Sequence, residues 1–244
     1  MNVAAAVSEA RQWDRLMAMA RLGAIPGDGV NRPALSALDR EARRLLIAWA
    51  RGLGLAVSID RMANLFLRLE GTDPTLQPVL AGSHMDSQPS GGRFDGIWGV
   101  IAALEAVQAV RDAGVTTRRA VEVVAGTNEE GSRFAPGCMG SMAFGAAQPP
   151  DAWNASTDTD GLSFGAELAA HLDAERDLPR RPLGVVEGTA PFAYVEAHIE
   201  QGPRLEAEGV DIGVVTGIQG ARWFTVEVLG RSDHAGTAPL SLRK

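Results

Sequence analysis

The segment from residue 78 to residue 86 reads Pro-Val-Leu-Ala-Gly-Ser-His-Met-Asp and is the starting point of our fold prediction. Its apolar part, Pro78–Gly82, is typical of a buried strand, and the polar part that follows is typical of a glycine-rich loop. Ile97–Val110 then reads as a largely apolar helix, and Ala120–Ala125 as the next strand. Strands that alternate with helices predict an α/β fold, with a mostly parallel sheet, flanking helices and ligands at the carboxyl ends of the strands.

The neighbouring segments extend this pattern. Residues 36–53 have apolar side chains at spacings of three and four after a capping serine, which predicts an amphipathic helix. Ala63–Leu69 reads as a strand. Residues 148–191 are irregular around a helix predicted at Glu167–Arg176, and Tyr194–His198 returns to the sheet as a strand.

The pattern changes near Gly213. Residues 212–218 and 223–229 are β-type segments with no helix between them, as in an antiparallel pair. We therefore assign residues 1–211 to a first domain and residues 212–244 to the beginning of a small α+β domain, in which Pro239 opens a helix. About thirty residues are too few to bury a core alone. We expect this second domain to be incomplete or to be completed by another chain.

Composition excludes several classes of protein. The 244 residues include 30 acidic and 23 basic side chains, a net charge of −7, so a nucleic-acid or anionic-membrane binder is not expected. No apolar run approaches the roughly 18 residues of a membrane span. The single cysteine, Cys138, cannot form an intrachain disulfide, so we expect a cytoplasmic protein.

Polar residues that follow the predicted strands are the candidates for chemistry. In an extended chain His84 and Asp86 face the same side, so the carboxylate can bond one ring nitrogen and leave the other for a metal. The alternative is a hydrogen-bonded histidine at a sheet edge. Asp95 stands between glycines at the start of the apolar helix, where it is either a helix N-cap or a ligand.

Three further clusters each have an ordinary alternative. Glu129 and Glu130 follow a strand, and adjacent like charges there are costly unless a cation, a proton or solvent stabilises them. His198 follows another β-type segment, and His234 lies in a loop, where a histidine usually has no special role. We interpret His171, in the exposed helix of the irregular segment, as structural.

Together these clusters predict a metal site. Two histidines and several carboxylates at one edge of a sheet form the mixture of nitrogen and oxygen ligands that zinc or manganese accepts. A carboxylate that bridges two ions, about 3.5 to 4 Å apart, allows the pair to activate a water and polarise a carbonyl. A second glutamate beside them can move the proton to a leaving nitrogen. This chemistry is hydrolysis.

The motifs also resemble a known family in order and spacing. The sequence closely resembles the M20-type amidohydrolases of the hydantoinase/carbamoylase branch, which includes N-carbamoyl-L-amino acid hydrolase, allantoate amidohydrolase and β-ureidopropionase. The resemblance extends over nearly the whole chain. The motifs that carry it are Gly82-Ser-His-Met-Asp-Ser-Gln-Pro89, Gly91-Gly-Arg-Phe-Asp-Gly96, Asn128-Glu-Glu-Gly-Ser-Arg-Phe134, His198-Ile-Glu-Gln-Gly-Pro203 and His234-Ala-Gly-Thr-Ala-Pro239.

The resemblance implies a ligand set for two divalent metal ions, zinc first, with manganese and cobalt as alternatives. It implies that His84 and His198 bind one ion, that Asp95 bridges to the second, and that Glu130 binds this second ion. Family members continue past residue 244 and supply a last histidine for it. We therefore expect a truncated chain that holds one complete metal site.

The same resemblance implies the other roles. Glu129 would be the general base and acid, Asp86 would orient His84, and Gln201 would help to hold the substrate. His234 would belong to a lid and dimerisation domain and would steady the oxyanion at the active site of the other subunit of a homodimer.

The implied activity is metal-dependent hydrolysis of a linear amide C–N bond in a small carbamoyl or ureido substrate, with residues 1–211 as the catalytic, metal-binding domain. Two alternatives stay open. One is an aminoacylase or peptidase of the same superfamily, and the other is a catalytically inert remnant that binds metal or dimerises.

Overall fold

The computed structural model describes residues 2–220, 222, 224, 226–227, 229–230, 232–234 and 236–242. These residues form two compact units, Met1–Gln201 and Gly202–Lys244, which we describe separately. The division falls ten residues before the predicted boundary, and the assignment of the two domains stays a prediction.

The first unit is built around a five-stranded sheet flanked by helices, which confirms the α/β prediction. Its strands are Ala56–Ile59 (β3), Leu65–Leu69 (β4), Val79–His84 (β5), Val121–Gly126 (β7) and Ala193–Val195 (β8). They lie side by side in the order β3-β4-β7-β5-β8. A small second sheet contains Ala24–Ile25 (β1), Gly29–Val30 (β2) and Gly91–Gly92 (β6). The helices are Glu9–Ala20 (α1), Ala37–Gly52 (α2), Ile97–Asp112 (α3), Met139–Phe144 (α4) and Phe164–Ala174 (α5).

The large sheet is mixed, whereas the sequence predicted a mostly parallel one. Strand β5 runs parallel to both β7 and β8, with His84 opposite Gly126, but β3, β4 and β7 pair antiparallel. The short connection 60–64 accounts for the antiparallel pairing of β3 with β4, because only antiparallel strands can be joined without a crossover of a dozen or more residues. The parallel half of the sheet carries the site.

Two helices show how the sequence determines the structure around the large sheet. Ser36 caps α2 as predicted, with its hydroxyl accepting from the N–H of Asp39 at 3.2 Å. Helix α3 is apolar on most of its surface because it is buried against β5, and Leu104 is fully buried. The beginning of α3 is thereby fixed beside the end of β5.

The structure corrects one prediction about a helix and excludes one of the two alternatives for Asp95. His171, predicted to lie in an exposed helix, is fully buried in α5, with Nε2 at 3.4 Å from Oε2 of Glu175. Asp95 is not the N-cap of α3: Gly96 occupies that position, and no side chain caps the helix. Among the described residues, no helix combines the length and the apolar character that crossing a membrane requires.

The second unit contains α6 (Arg204–Glu208) and a 3-10 turn at Leu240–Leu242, where Pro239 was expected to open a helix. The predicted strand at 212–218 is not formed, and Ile218 is 98% exposed. A strand is stable only with partners and an apolar face to bury, and residues 212–218 pair with no described residue. The strand predicted at 223–229 falls partly outside the described residues.

Candidate metal centre

His84 is the last residue of β5, and its ring is buried at the carboxyl edge of the sheet. Its Nδ1 lies 2.9 Å from the backbone oxygen of Asp86 and 3.6 Å from the Oδ1 atom of that residue. The proton on Nδ1 is therefore directed at Asp86, and Nε2 is left for the opposite side of the ring. The sequence predicted a bond to the carboxylate of Asp86, whereas the hydrogen-bond partner is its backbone oxygen, and the orienting role of Asp86 stays a prediction.

Gly96 allows the ring of His84 to pack against the beginning of α3. Its φ is +64°, a conformation that side chains with a Cβ rarely adopt, and a Cβ there would overlap the imidazole. The glycine therefore fixes the approach of α3 to β5 at the site.

Three predicted ligands converge in this part of the molecule. Ligand atoms of His84, Asp95 and His198 all lie within 4.8 Å of one another. Oδ1 of Asp95 is 3.3 Å from Nε2 of His198 and 3.9 Å from Nε2 of His84. The two imidazole rings stack with centroids 5.8 Å apart. Two imidazole nitrogens and a carboxylate in this arrangement are a donor set for a divalent transition metal.

Glu129 and Glu130 lie in the loop after β7, which runs beside the end of β5 because the two strands are parallel. Both oxygens of Asp86 hold this loop, accepting from the N–H groups of Glu129 and Glu130 at 3.2 Å each. Oε2 of Glu129 lies 3.4 Å from Nε2 of His84. Asp86 therefore contacts the histidine and the glutamate loop together.

The surroundings of Glu130 fit a cation and do not fit a fully solvated surface pair. Its Oε2 accepts a hydrogen bond from Gln88 at 2.6 Å, whereas its Oε1 is buried and has no hydrogen-bond partner among the described residues. Burial raises the pKa of Glu130, and the charge of Asp95 raises it further. A bound cation would satisfy the orphaned oxygen and stabilise the ionised carboxylate.

His84 gives a second indication that the pocket stabilises positive charge. Burial lowers the pKa of this histidine, but the hydrogen bond and charge of Asp86, with the charge of Glu129, outweigh burial and raise the pKa to about 9. The residues present thus fit a metal ion in both donor type and charge.

Two predicted residues lie outside this set of donors. The amide of Gln201 donates to Oδ2 of Asp95, so Gln201 contacts the carboxylate that was predicted to bridge two ions. His234 belongs to the second unit, where its Nδ1 accepts from the backbone N–H groups of Gly236 at 3.0 Å and Thr237 at 3.3 Å. The roles of both residues stay predictions.

Sequence reasoning missed four residues around the site. The thiol of Cys138 donates to Oε1 of Glu129 at 3.5 Å, and Gln88 contacts Glu130 as described above. Glu196 accepts hydrogen bonds from the hydroxyl groups of Ser83 and Tyr194, and Asn64 contacts the glutamate loop from behind. The contacts of Gln88, Ser83 and Asn64 join segments that are 42 or more positions apart, so no local pattern indicates them.

A cavity of about 420 Å³ adjoins the cluster. Its lining includes His84 and Glu129, and its apolar walls include Leu80, Val124 and Phe144. The volume falls in the range of sites for small molecules.

Comparison with known proteins places the chain in a family. It matches the model of Peptidase family M20/M25/M40 over residues 80–241, and it belongs to that family. A solved hydantoinase/carbamoylase family amidase from Burkholderia ambifaria is 44% identical with a TM-score of 0.79, covering 97% of this chain and 56% of that one. The resemblance to this branch is confirmed.

Two curated relatives have named activities. N-carbamoyl-L-amino-acid amidohydrolase of Rhizobium meliloti is 42% identical over 238 residues, which are 97% of this chain and 55% of the relative. Allantoate amidohydrolase of Escherichia coli strain K12 is 38% identical over 240 residues, 98% of this chain and 56% of the relative. The chain thus spans just over half the length of these relatives.

Proposed function

We propose that this site hydrolyses a linear amide C–N bond in N-carbamoyl amino acids or in ureido compounds such as allantoate. The observation that carries the proposal is the convergence of His84, Asp95 and His198, with Glu129 beside them. The names of the relatives from Rhizobium meliloti and Escherichia coli support this class of substrate.

The residues present would hold divalent ions at two adjoining positions. His84, Asp95 and His198 would hold one ion, and Asp95 and Glu130 would hold a second. Nitrogen and oxygen donors suit zinc, manganese and cobalt, and zinc is our first choice. Such ions, when bound, lower the pKa of a water to about 7 and polarise a carbonyl.

Glu129 would move the proton. Its Oε2, the atom close to His84, would accept a proton from the attacking water and deliver it to the leaving nitrogen. The side chain of Glu129 is 41% exposed, so water and substrate can reach it. From an N-carbamoyl amino acid the products would be the free amino acid, ammonia and carbon dioxide, and from a ureido compound they would include ammonia.

Three residues would support this reaction. Asp86 would keep the Nδ1 proton of His84 in place, which directs Nε2 at the ion. Gln201 would hold the substrate beside Asp95. His234 would stabilise the oxyanion in the other subunit of a homodimer, and its Nδ1, which accepts two N–H groups, leaves the proton on Nε2 as a donor.

The single cysteine supports a reducing compartment such as the cytoplasm as the location of the protein.

The test is a substrate and metal panel on the purified chain. Chelator-stripped protein is reloaded with Zn²⁺, Mn²⁺ or Co²⁺, and release of ammonia from N-carbamoyl amino acids and allantoate is measured beside cleavage of N-acetyl amino acids and dipeptides. Metal-dependent release of ammonia is the expected result. Cleavage of acyl or peptide substrates alone would favour an aminoacylase or peptidase, and a bound ion without turnover would favour an inert remnant.

A further inference from the structure

Asn64, just before β4, lies behind the loop that carries Glu129 and Glu130. Its side chain is buried, and its Oδ1 accepts from the N–H of Thr127 at 3.0 Å. Its Nδ2 donates to the backbone oxygen of Gly140 at 3.2 Å and to Oδ2 of Asp60 at 2.9 Å. One side chain thus bonds to both segments on either side of the glutamates.

Those two segments form a short backbone ladder. Residues 138–140 donate to residues 127–129 through three hydrogen bonds, which are Cys138 N to Glu129 O at 2.8 Å, Met139 N to Asn128 O at 3.3 Å and Gly140 N to Thr127 O at 3.0 Å. The Glu129 end of this ladder faces the metal cluster. At the other end, the N–H of Thr127 and the backbone oxygen of Gly140 both bond to the side chain of Asn64.

The orientation of the Asn64 amide is fixed chemically. Nδ2 faces two groups that can only accept, the carboxylate of Asp60 and the carbonyl of Gly140, whereas Oδ1 faces the N–H of Thr127, which can only donate. Asp60 is held in turn by the N–H groups of Met62 and Asn64. A flipped amide would lose all three contacts.

Gly140 packs so closely against Asn64 and Thr127 that no side chain fits at position 140. A Cβ added to Gly140 would overlap Oδ1 of Asn64 and would lie 2.7 Å from the nitrogen of Thr127. The ladder and the amide therefore pack in direct contact, so a change in Asn64 is transmitted to the backbone of the loop.

We propose that Asn64 is a positioning residue that holds the glutamate loop in place and thereby sets the positions of Glu129 and Glu130. The effect of this bracing on metal binding rests on the proposed function. The bracing itself does not.

The first arm of the test is hydrogen–deuterium exchange of the metal-free chain at pH 8. In Asn64→Ala, amides in residues 127–140 should exchange up to about tenfold faster, because the loop loses bonds from both of its segments. Asn64→Asp keeps the acceptor for Thr127, loses the donors to Gly140 and Asp60, and at pH 8 sets a second carboxylate against that of Asp60. It should therefore loosen the contacts with Asp60 and with residues 138–140 more than the contact with Thr127, and where one variant does not fold the other serves.

Leu46→Ala is the matched control, because it removes a fully buried side chain of α2 and leaves a cavity in its place. It should lower global stability without a selective effect on residues 127–140. If the loop of the Asn64 variants exchanges no faster than that of Leu46→Ala, the inference is wrong.

The second arm is a titration with Co²⁺, followed by its visible absorption. Both Asn64 variants should bind Co²⁺ about 10- to 100-fold more weakly than the unaltered chain, as is usual when support of metal ligands is lost. Leu46→Ala should bind it normally. Unchanged affinity in a variant with a loosened loop would overturn the positioning role.

The two arms separate this inference from the proposed function. If the unaltered chain binds no Co²⁺, the proposed function fails, and the exchange arm still decides whether Asn64 holds the loop.

Discussion

Nε2 of His198 lies 3.3 Å from Oδ1 of Asp95. The histidine follows β8 and the aspartate precedes α3, so this contact joins two elements that are about a hundred residues apart in the chain. An imidazole nitrogen and a carboxylate oxygen at this distance suit a shared cation. The first prediction tests that interpretation.

Asp95→Asn should bind Co²⁺ more than about 100-fold more weakly than the unaltered chain, because it removes the charge that both ion positions share. Isothermal titration calorimetry measures the affinity. Asp173→Asn, which removes a carboxylate that is 75% exposed in α5, is the control and should bind normally. Equal affinities for the two variants would exclude Asp95 as a ligand.

Glu129→Gln should keep Co²⁺ binding and lose turnover by about 10²- to 10⁴-fold, because the amide cannot accept the proton. The assay is release of ammonia from an N-carbamoyl amino acid at saturating metal. A variant that turns over at the unaltered rate would remove Glu129 from the role of base.

Asp86→Asn should weaken Co²⁺ binding by about 10- to 100-fold. The carboxylate accepts from two N–H groups, of Glu129 and Glu130, and an amide would turn a donor towards one of them. Ser36→Ala is the control, because it also removes an acceptor for a backbone N–H, that of Asp39 at the start of α2. The prediction fails if both variants lose affinity to the same extent.

Gly96→Ala should destabilise the chain by about 1–2 kcal/mol through its positive φ and by a further 1–3 kcal/mol through displacement of the His84 ring. Gly188→Ala, at φ +80° with no atom within 4 Å of the added Cβ, should show the first effect only. Urea unfolding measures both. Equal losses would mean that the ring is not held by this glycine.

His171 should make stability depend on pH. Burial, and then the charge of Arg43, lower the pKa of His171, against the opposing effects of Glu175 and Asp39. The folded chain therefore binds this proton less readily than the unfolded chain does. His171 therefore does not reduce the free energy of unfolding above its pKa in the unfolded chain, near 6.5. As the pH falls below that value, the unfolded chain binds the proton and the free energy of unfolding decreases.

We expect His171→Leu to lose less free energy of unfolding than the unaltered chain between pH 8 and pH 5, because the variant has no imidazole to protonate in the unfolded state. Urea midpoints at the two pH values measure the difference. An unchanged pH dependence in the variant would show that another group is responsible.

Local patterns were sufficient for the parts of the site that follow strands. His84 and the glutamate loop could be placed because an apolar run that ends in polar residues marks the carboxyl edge of a sheet. Long-range contacts were not accessible to this reasoning. Asn64 contacts Thr127 across 63 positions, and the buried His171 lies beside an ion pair between Arg43 and Glu175, which are 132 positions apart.

The strand predicted at 212–218 is not formed, for a related reason. Alternation of apolar residues indicates which side chains a strand would bury, but a strand also needs partners for its backbone. Likewise, the antiparallel pairing of β4 with β7 joins segments that no periodicity connects. Which strands pair with one another therefore depends on the fold of the whole chain and cannot be deduced from a local segment.

The three converging donors, His84, Asp95 and His198, come from the end of one strand, the start of a helix and a segment more than a hundred residues downstream. An ion bound by all three would link these segments reversibly. At a concentration of a hundred times its dissociation constant, it would add about 2.7 kcal/mol to the free energy of unfolding. Cellular supply of the metal would then govern how much of this polypeptide escapes proteolysis.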